Sequence, residues 1–192
     1  MADPLTEQTL DSKLAWQGDF LRVFKDSVRA PDGHVGTREY LRHPGAVMVI
    51  PLLDDGRLVL ERQYRYPVGK SFIEMPAGKI DPGEELLACA KRELKEETGF
   101  VARDWDHLGG FHNAIGYCDE KIEVFLARGL VHVGAQSDAG EVLEIFTATL
   151  PQVLAWIDDG SVTDVKTIIG AYWLQRWLLR AAGSPAAAPP AA

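Results

Sequence analysis

The segment 78–100, GKIDPGEELLACAKRELKEETGF, constrains the fold more than any other part of the chain. Asp81 and Glu84, three residues apart, predict a capped helix start, and Thr98-Gly99 predicts the helix end. The helix between these signals has roughly four turns. A helix of this length is stable in water only if it packs an apolar face against the rest of the protein.

One face of this helix is apolar and the neighbouring edge is acidic. The apolar stripe consists of Leu86, Leu87, Ala90 and Leu94. Glu93 and Glu97 follow one edge of the stripe, and Glu96 lies just beyond it. Like charges four residues apart repel each other, and partial burial adds a desolvation cost. A hard divalent cation such as Mg²⁺ would reduce both the repulsion and the desolvation cost. Arg92 can orient the carboxylate of Glu96 through a charge-assisted hydrogen bond.

The remaining chain predicts strands before and after this helix, and two helices at the end. The runs GAVMVIPLL and RLVLERQYRYP, joined by a turn at 54–56, predict a strand pair at the centre of the core. Alternating runs around Pro31-Asp32-Gly33 predict a small N-terminal sheet. The final helix, VKTIIGAYWLQRWLLR, is expected to bury Ile168, Tyr172 and Leu179. The pattern predicts an α/β fold with a mixed sheet flanked by helices.

Composition and charge exclude several classes of protein. The 192 residues suit one compact domain, and the formal net charge of −8 disfavours binding to nucleic acid or to an acidic membrane. No apolar run is long enough to cross a bilayer, and the start lacks a signal-peptide pattern, so we expect a cytoplasmic protein. Cys89 and Cys118 have no metal-ligand or redox spacing and are expected to be free thiols.

The acidic helix belongs to a longer pattern. Seven residues stand at the spacing G-x5-E-x7-R-E-U-x-E-E-x-G-U, where U is a bulky apolar residue: Gly78, Glu84, Arg92, Glu93, Glu96, Glu97 and Gly99. A lone charged run would be read as a solvated helix face, but chance gives all seven positions about once in a million such chains. The segment resembles the Nudix box without a departure. Over about residues 45–150, the resemblance implies an α/β/α sandwich that hydrolyses nucleoside diphosphate derivatives.

The resemblance also implies a metal site. Its ligands would be the carboxylates of Glu93, Glu96 and Glu97 and the carbonyl of Ala77, with Mg²⁺, or alternatively Mn²⁺, as the cation. Arg92 and Glu84 would support these ligands. Gly78 would let the backbone approach the metal and the pyrophosphate closely.

Further matches suggest the substrate. The run RQYRYPVGKSFIEMPAGKIDPGE resembles ADP-ribose pyrophosphatases and the related GDP-mannose hydrolases. On that resemblance Arg65 contacts the pyrophosphate, Arg38 and Glu39 lie beside the adenine, and Glu120 contacts the terminal ribose. The alternatives are a solvent-exposed Arg65 at a strand end and a surface ion pair of Glu120 with Lys121 or Arg128.

The general base is expected in the loop AQSDAGEVLEIF. Glu141 best matches the family's glutamate that reaches the metals, and we expect it to be a metal ligand and the base. Some relatives place a second glutamate two residues earlier, where this chain has Ala139. Glu144 is the weaker alternative for the base.

The resulting hypothesis divides the chain into three parts. Residues 1–44 form an N-terminal β-sheet arm for dimerisation, 45–182 the Nudix domain, and 183–192 a disordered tail. The expected protein is a homodimer that uses Mg²⁺ to hydrolyse ADP-ribose to AMP and ribose 5-phosphate. Two alternatives stay open: hydrolysis of another nucleoside diphosphate sugar such as GDP-mannose, and a non-catalytic nucleotide-binding Nudix domain. The intact box glutamates argue against the second alternative.

Overall fold

A computed structural model describes residues 3–134, 140 and 142–183 of the chain. The chain divides into two compact units: the first comprises Met1–Gly45 and Phe111–Ile122, the second Ala46–Gly110 and Glu123–Ala192. The predicted base Glu141, its neighbour Ala139 and the predicted tail from residue 184 onward lie outside the described residues.

The first unit contains an antiparallel three-stranded sheet with the order β1-β2-β3. Its strands are β1 (Gln8–Gln17), β2 (Arg22–Arg29) and β3 (Val35–Arg42). The predicted turn at Pro31-Asp32-Gly33 joins β2 to β3, and the amide of Gly33 donates to the carbonyl of Ala30 at 2.9 Å. Alternate residues of the central strand, Phe24, Asp26 and Val28, are buried. The predicted N-terminal sheet is therefore present.

The second unit carries two sheets, with the orders β10-β5-β6 and β7-β4-β9-β8. Their strands are β4 (Ala46–Pro51), β5 (Arg57–Arg65), β6 (Lys70–Glu74), β7 (Ala77–Lys79), β8 (Phe100–His112), β9 (Lys121–His132) and β10 (Leu143–Thr149). The last two residues of β8 and the first two of β9 are counted in the first unit. The predicted pairing of β4 with β5 is wrong, because the two strands lie in different sheets. The isolated bridge Leu52↔Leu58, near the turn between them, lies beyond the end of β4. Pro51 ends β4 and has no amide hydrogen for a ladder bond, so pairing cannot continue there.

Two helices cover opposite faces of β4. Val47 and Val49 pack in one cluster with Cys89, Ala90 and Leu94 of α1 (Leu86–Thr98). Met48, between the two valines, lies against Gly170 of α3 (Val165–Ala181). Neighbouring residues of a strand point to opposite faces, so α1 and α3 lie on the two sides of the sheet. The remaining helix, α2 (Leu150–Asp158), packs against β10 and α3. The predicted α/β/α sandwich is confirmed.

Three details differ from the sequence-based prediction. The helix α1 begins at Leu86 rather than at Asp81, because Gly83 has a φ of 79° and the carboxylate of Glu84 turns back to accept from the amide of Asp81 at 3.1 Å. Leu87 is exposed, and the fully buried Cys89 takes the place expected for it. The buried residues of α3 are Thr167, Gly170, Ala171 and Leu174, whereas Tyr172 and Leu179 are exposed.

Two further predictions, for the end of α1 and for the two cysteines, are confirmed. Gly99 ends α1 with a φ of 74°, a left-handed conformation that favours glycine. Cys89 and Cys118 are both free. Across the described part of the chain, no helix is both long enough and apolar enough to span a membrane.

Candidate active site

Two glutamates of α1 face the protein interior. Glu93 is 9% exposed and Glu97 is 4% exposed, and both lie on the same side of the helix as the core residue Leu94. The amide of Ala77 donates to Oε2 of Glu97 at 2.9 Å. A Cβ atom added to Gly78 would lie only 1.9 Å from Cδ of Glu93. The two carboxylates therefore lie directly against the backbone of β7.

Arg92 connects the carboxylates of the box. Its Nε and Nη2 donate to the two carboxylate oxygens of Glu84, each at 2.9 Å. Its Nη1 donates to Glu93 at 2.7 Å and to Glu96 at 3.0 Å, and its Nη2 also reaches the carbonyl of Lys79 at 3.2 Å. A planar guanidinium can make all these bonds at once. Arg92 therefore ties the turn before α1 to the helix and partly neutralises its acidic edge.

The ion pair between Arg92 and Glu84 shifts the pKa values of both side chains. The hydrogen bond from Arg92 lowers the pKa of the Glu84 carboxyl to about 2. The same hydrogen bond, together with those to Glu96 and Glu93, raises the pKa of Arg92 above its ordinary value. Both groups are therefore charged over the whole neutral range, and Glu84 holds Arg92 in place whatever the pH of the cell.

The residues of this site fit a hard divalent cation. Within the residues that the structure describes, no three His, Cys, Asp or Glu side chains are grouped so that they could hold a metal by themselves. Mg²⁺ does not need such a cage, because it binds one or two carboxylates and completes its shell with water and substrate phosphate. Glu93 and Glu97 supply buried carboxylate oxygens, and Gly78, which has no side chain, leaves the space that the carboxylate of Glu93 occupies.

Arg65 lies at the end of β5 and forms a two-pronged pair with Glu74. Its Nε and Nη2 donate to the two carboxylate oxygens of Glu74 at 2.7 and 2.6 Å. The Glu74 hydrogen bonds raise the pKa of Arg65, and the charges of Glu61 and Glu97 act in the same direction. Arg65 is therefore within electrostatic range of the box glutamate Glu97, and it is not an isolated surface arginine.

The residues that surround Arg65 are not predicted from the sequence. Glu61 and Glu74 are both buried, and they stand directly opposite each other on β5 and β6. Lys166, in the first turn of α3, forms an ion pair with Glu74. The sequence does mark the two glutamates as unusual, because each interrupts an apolar strand run, Glu61 in VLERQ and Glu74 in FIEMP. Lys166 had no such signal, because its contact with Glu74 spans 92 residues.

The predicted adenine contacts lie in the first unit. Arg38 forms an ion pair with Glu7, and Glu39 accepts a hydrogen bond from Lys25 at 2.8 Å. Both Arg38 and Glu39 line a cavity of about 350 Å³, which is also lined by the exposed side chain of Tyr117. This cavity offers a cation, an anion and an aromatic ring on one surface.

The predicted ribose contact also lies in the first unit. Glu120 accepts a hydrogen bond from Nδ2 of Asn113 at 3.0 Å, and Nε2 of His43 lies 3.5 Å from its other oxygen. Arg128, one of the cations that could have formed a surface pair with Glu120, pairs with Asp106 at 2.7 Å. Glu120 is thus held in a defined position in the first unit.

Of the two candidates for the general base, the structure describes only Glu144. Its carboxylate pairs with Arg62 at 3.0 Å, and it stands opposite Arg62 in the pairing of β10 with β5. Because residues along a strand alternate between faces, Arg62 and Glu144 lie on the face opposite to that of Glu61 and Arg65. Glu144 therefore points away from the charged groups around Arg65.

Comparison with known proteins identifies the family of this chain. The NUDIX domain matches residues 42–165, and the nucleoside diphosphate sugar hydrolase N-terminal domain matches residues 7–41. The chain therefore belongs to the Nudix family of hydrolases. Members of this family generally need a divalent metal.

Individual relatives match most of the chain. It is 34% identical over 173 residues to the ADP-ribose pyrophosphatase of Bacillus subtilis, covering 89% of this chain and 94% of the relative. It is 36% identical over 171 residues to the methanol dehydrogenase activator of Bacillus methanolicus, covering 88% and 92%. The crystal structure of an ADP compounds hydrolase superposes with a TM-score of 0.83 at 25% identity, covering 93% of this chain and 97% of that one.

Proposed function

We propose that this protein hydrolyses the pyrophosphate bond of ADP-ribose, giving AMP and ribose 5-phosphate, with Mg²⁺ as the metal. The observation that carries the proposal is the position of Glu93 and Glu97, two buried carboxylates against the backbone of Ala77 and Gly78. The names of two similar proteins, an ADP-ribose pyrophosphatase and an ADP compounds hydrolase, support the choice of substrate.

The metal would be held by oxygen atoms. We assign as ligands the carboxylates of Glu93, Glu96, Glu97 and Glu141 and the carbonyl of Ala77. Carboxylate and carbonyl oxygens suit Mg²⁺ and also Mn²⁺. When bound, the metal neutralises phosphate charge and lowers the pKa of a coordinated water. Arg92 keeps Glu93 and Glu96 in place, and Glu84 keeps Arg92 in place.

Arg65 would bind the pyrophosphate. Two of its five N–H groups are used by Glu74, and no described residue accepts a hydrogen bond from its Nη1. Its side chain is 40% exposed, so these remaining donors are within reach of a ligand. A guanidinium that is anchored on one edge and free on the other is suited to grip phosphate oxygens.

The first unit would bind the nucleoside and the terminal ribose. Tyr117 and Arg38 line the cavity of about 350 Å³ and offer a ring and a guanidinium plane for stacking on a base. Glu39 and Glu120 offer carboxylates that accept hydrogen bonds from an amino group or from ribose hydroxyls.

The protein would act as a homodimer. All ten residues of β1 are exposed, and they include the apolar side chains of Leu10, Leu14 and Trp16. An edge strand with exposed apolar residues is a surface that proteins normally cover. We propose that a second copy covers it, and that this assembly brings Arg38 and Glu39 to the partner's site. The cytoplasmic location stays a prediction, and the two free thiols agree with a reducing compartment.

A substrate panel tests the proposed function. The purified protein is assayed with Mg²⁺ against ADP-ribose, GDP-mannose, NADH, dinucleoside polyphosphates and nucleoside triphosphates. We expect the highest kcat/KM for ADP-ribose, with AMP and ribose 5-phosphate as the products. A preference of about tenfold for GDP-mannose or for a triphosphate, equal to ~1.4 kcal/mol of transition-state binding, would contradict the substrate assignment. Binding without turnover of any compound would point to a non-catalytic nucleotide-binding domain.

A further inference from the structure

The pair formed by Arg65 and Glu74 is asymmetric in its exposure to solvent. The Glu74 side chain is 3% exposed, whereas that of Arg65 is 40% exposed. Burial opposes ionisation of Glu74, but the bonds and charges of Arg65 and Lys166 outweigh it and lower the pKa of the carboxyl. Glu74 is thus a buried anion directly behind the guanidinium that faces solvent. Alone, it would cancel most of the charge that Arg65 presents to a ligand.

A second cation contacts the same carboxylate from the other side. Nζ of Lys166 donates to Oε2 of Glu74, and it also donates to Oδ2 of Asp164 at 2.9 Å. The Lys166 side chain is only 12% exposed. A buried ammonium is costly unless it is paired, and here two carboxylates pair with it. Glu74, Asp164, Lys166 and Arg65 together carry two negative and two positive charges.

The position of Lys166 is fixed by contacts that do not involve its own side chain. Asp164 caps α3 by accepting from the amide of Thr167 at 3.0 Å and from its hydroxyl at 2.6 Å. The same hydroxyl accepts from the amide of Met75 at 2.8 Å, and Thr167 is fully buried. The first turn of α3 is therefore attached to the residue that follows Glu74. Loss of the ammonium should leave this attachment intact.

We propose that Lys166 is a positioning residue that offsets part of the charge of Glu74, so that Arg65 presents a more positive potential to the pyrophosphate group of the substrate than it would without Lys166. This inference rests on the proposed function, because it takes Arg65 as the pyrophosphate contact. With only 12% of its side chain exposed, Lys166 acts through Glu74 and does not bind the substrate itself. Its loss should therefore weaken the binding of a phosphate-bearing ligand much more than it slows the chemical step.

The test compares Lys166→Met, which removes the charge but keeps an apolar stem, with Lys166→Arg, which keeps the charge. Arg57→Met is the matched control, because Arg57 forms an exposed ion pair with Asp55 at the other end of β5, about 26 Å from Arg65 along the strand. Binding of ADP-ribose, and separately of inorganic pyrophosphate, is measured by calorimetry in a buffer with EDTA. Steady-state kinetics with Mg²⁺ follow.

We expect Lys166→Met to raise Kd for both ligands, and KM for ADP-ribose, by about tenfold or more while kcat changes less than about threefold. The Kd and KM values of Lys166→Arg should stay within about threefold of those of the wild type. Those of Arg57→Met should equal the wild-type values. Unchanged Kd values in Lys166→Met, or a wild-type protein that binds neither ligand, would overturn the inference. A wild-type protein that binds both ligands but hydrolyses no substrate would contradict only the proposed function.

A double-mutant cycle tests whether Lys166 acts through Glu74. The Glu74→Gln background lacks the one carboxylate that contacts both Lys166 and Arg65, so adding Lys166→Met should change Kd by less than about twofold. The double variant removes both charges of the contact between Lys166 and Glu74, and Asp164 keeps its hydrogen bonds from Thr167, so the test stays usable if Lys166→Met alone does not fold. An equal loss of binding in both backgrounds would show that Lys166 acts independently of Glu74, and it would refute the inference.

Discussion

The position that a Cβ atom would occupy on Gly78 lies 1.9 Å from Cδ of Glu93. No two unbonded atoms can be that close, so the carboxylate of Glu93 occupies space that exists only because residue 78 has no side chain. The first glycine of the box and its first helical glutamate are therefore one structural unit, although 15 positions separate them in the sequence.

The substitution Gly78→Ala should displace Glu93 and reduce activity. A shift of about 1 Å at a catalytic group can cost about 100-fold in rate, and we expect a loss of kcat of at least that size. The measurement is kcat for ADP-ribose at saturating Mg²⁺. Gly36→Ala is the control, because a Cβ at Gly36 would make only ordinary contacts at 3.6 Å or more. Full activity of Gly78→Ala would contradict the prediction, because catalysis would then not require the Glu93 carboxylate to lie against residue 78.

The ion pair between Glu84 and Arg92 should make stability depend on pH. The pKa of Glu84 is about 2 in the folded protein, below its ordinary value of 4.5. A depressed folded-state pKa gives stability that is fully present above pH 4.5 and is lost as the pH falls towards 2. The difference in unfolding free energy between the wild type and Glu84→Gln should therefore be constant between about pH 7 and 5.5 and shrink at about pH 4 and 3.

Urea unfolding at each pH measures this difference. Glu85→Gln is the matched control, because Glu85 is exposed and its side chain makes no capping hydrogen bond. The unfolding free energy of the Glu85→Gln control should differ from that of the wild type by the same small amount at every pH. If Glu84→Gln were as destabilising at about pH 3 as at pH 7, the charge of Glu84 would not be the source of the effect.

The sequence predicts those parts of this molecule that depend on local patterns. Gly99 as the end of α1, and Glu93 and Glu97 on its inner edge, follow from helical spacing and are found in the structure. The start of α1 was predicted too early, because Asp81 and Glu84 have the spacing of a capping pair. Glu84 does accept from the amide of Asp81, but it also pairs with Arg92, eight residues further along the chain, and it lies in the turn before the helix.

Contacts between distant segments could not be predicted. β4 and β5 are joined by a short turn and look like a hairpin, but β4 pairs with β7 and β9, and β5 pairs with β10 and with the next strand, β6. Lys166 and Glu74 come together because α3 packs against β4 and β6, and nothing near either residue in the sequence indicates this. Sequence spacing reports on neighbours within one helix or strand, whereas packing brings together residues that share no local pattern.

The two candidates for the general base should behave differently. Glu144 pairs with Arg62 on the face away from Arg65, so Glu144→Gln should lose less than about threefold in kcat. We predict that Glu141→Gln loses about 10²- to 10⁴-fold, the usual effect of removing a general base. Both variants are assayed side by side with ADP-ribose and Mg²⁺. A crippled Glu144→Gln beside a nearly normal Glu141→Gln would reverse the assignment.

The N-terminal sheet should mediate a homodimer. Light scattering at micromolar concentration should give twice the mass of the chain, and Leu14→Lys should shift the protein towards the monomer, because a charge on the exposed apolar strand β1 opposes burial. Lys13→Met, which changes the neighbouring exposed residue, should leave the dimer intact. A fully active wild-type monomer would contradict this prediction.

The substitution Glu97→Gln tests the central claim most directly, because it removes a carboxylate charge and keeps the oxygen that accepts from the amide of Ala77. We predict that kcat for ADP-ribose at saturating Mg²⁺ falls by about 10²- to 10³-fold, while the metal-free melting temperature is unchanged or higher because repulsion between the box carboxylates is relieved. Glu85→Gln, on the exposed side of the helix start, should retain normal activity. If Glu97→Gln turned over ADP-ribose at nearly the wild-type rate, the buried glutamates of α1 would not be the metal site of this protein.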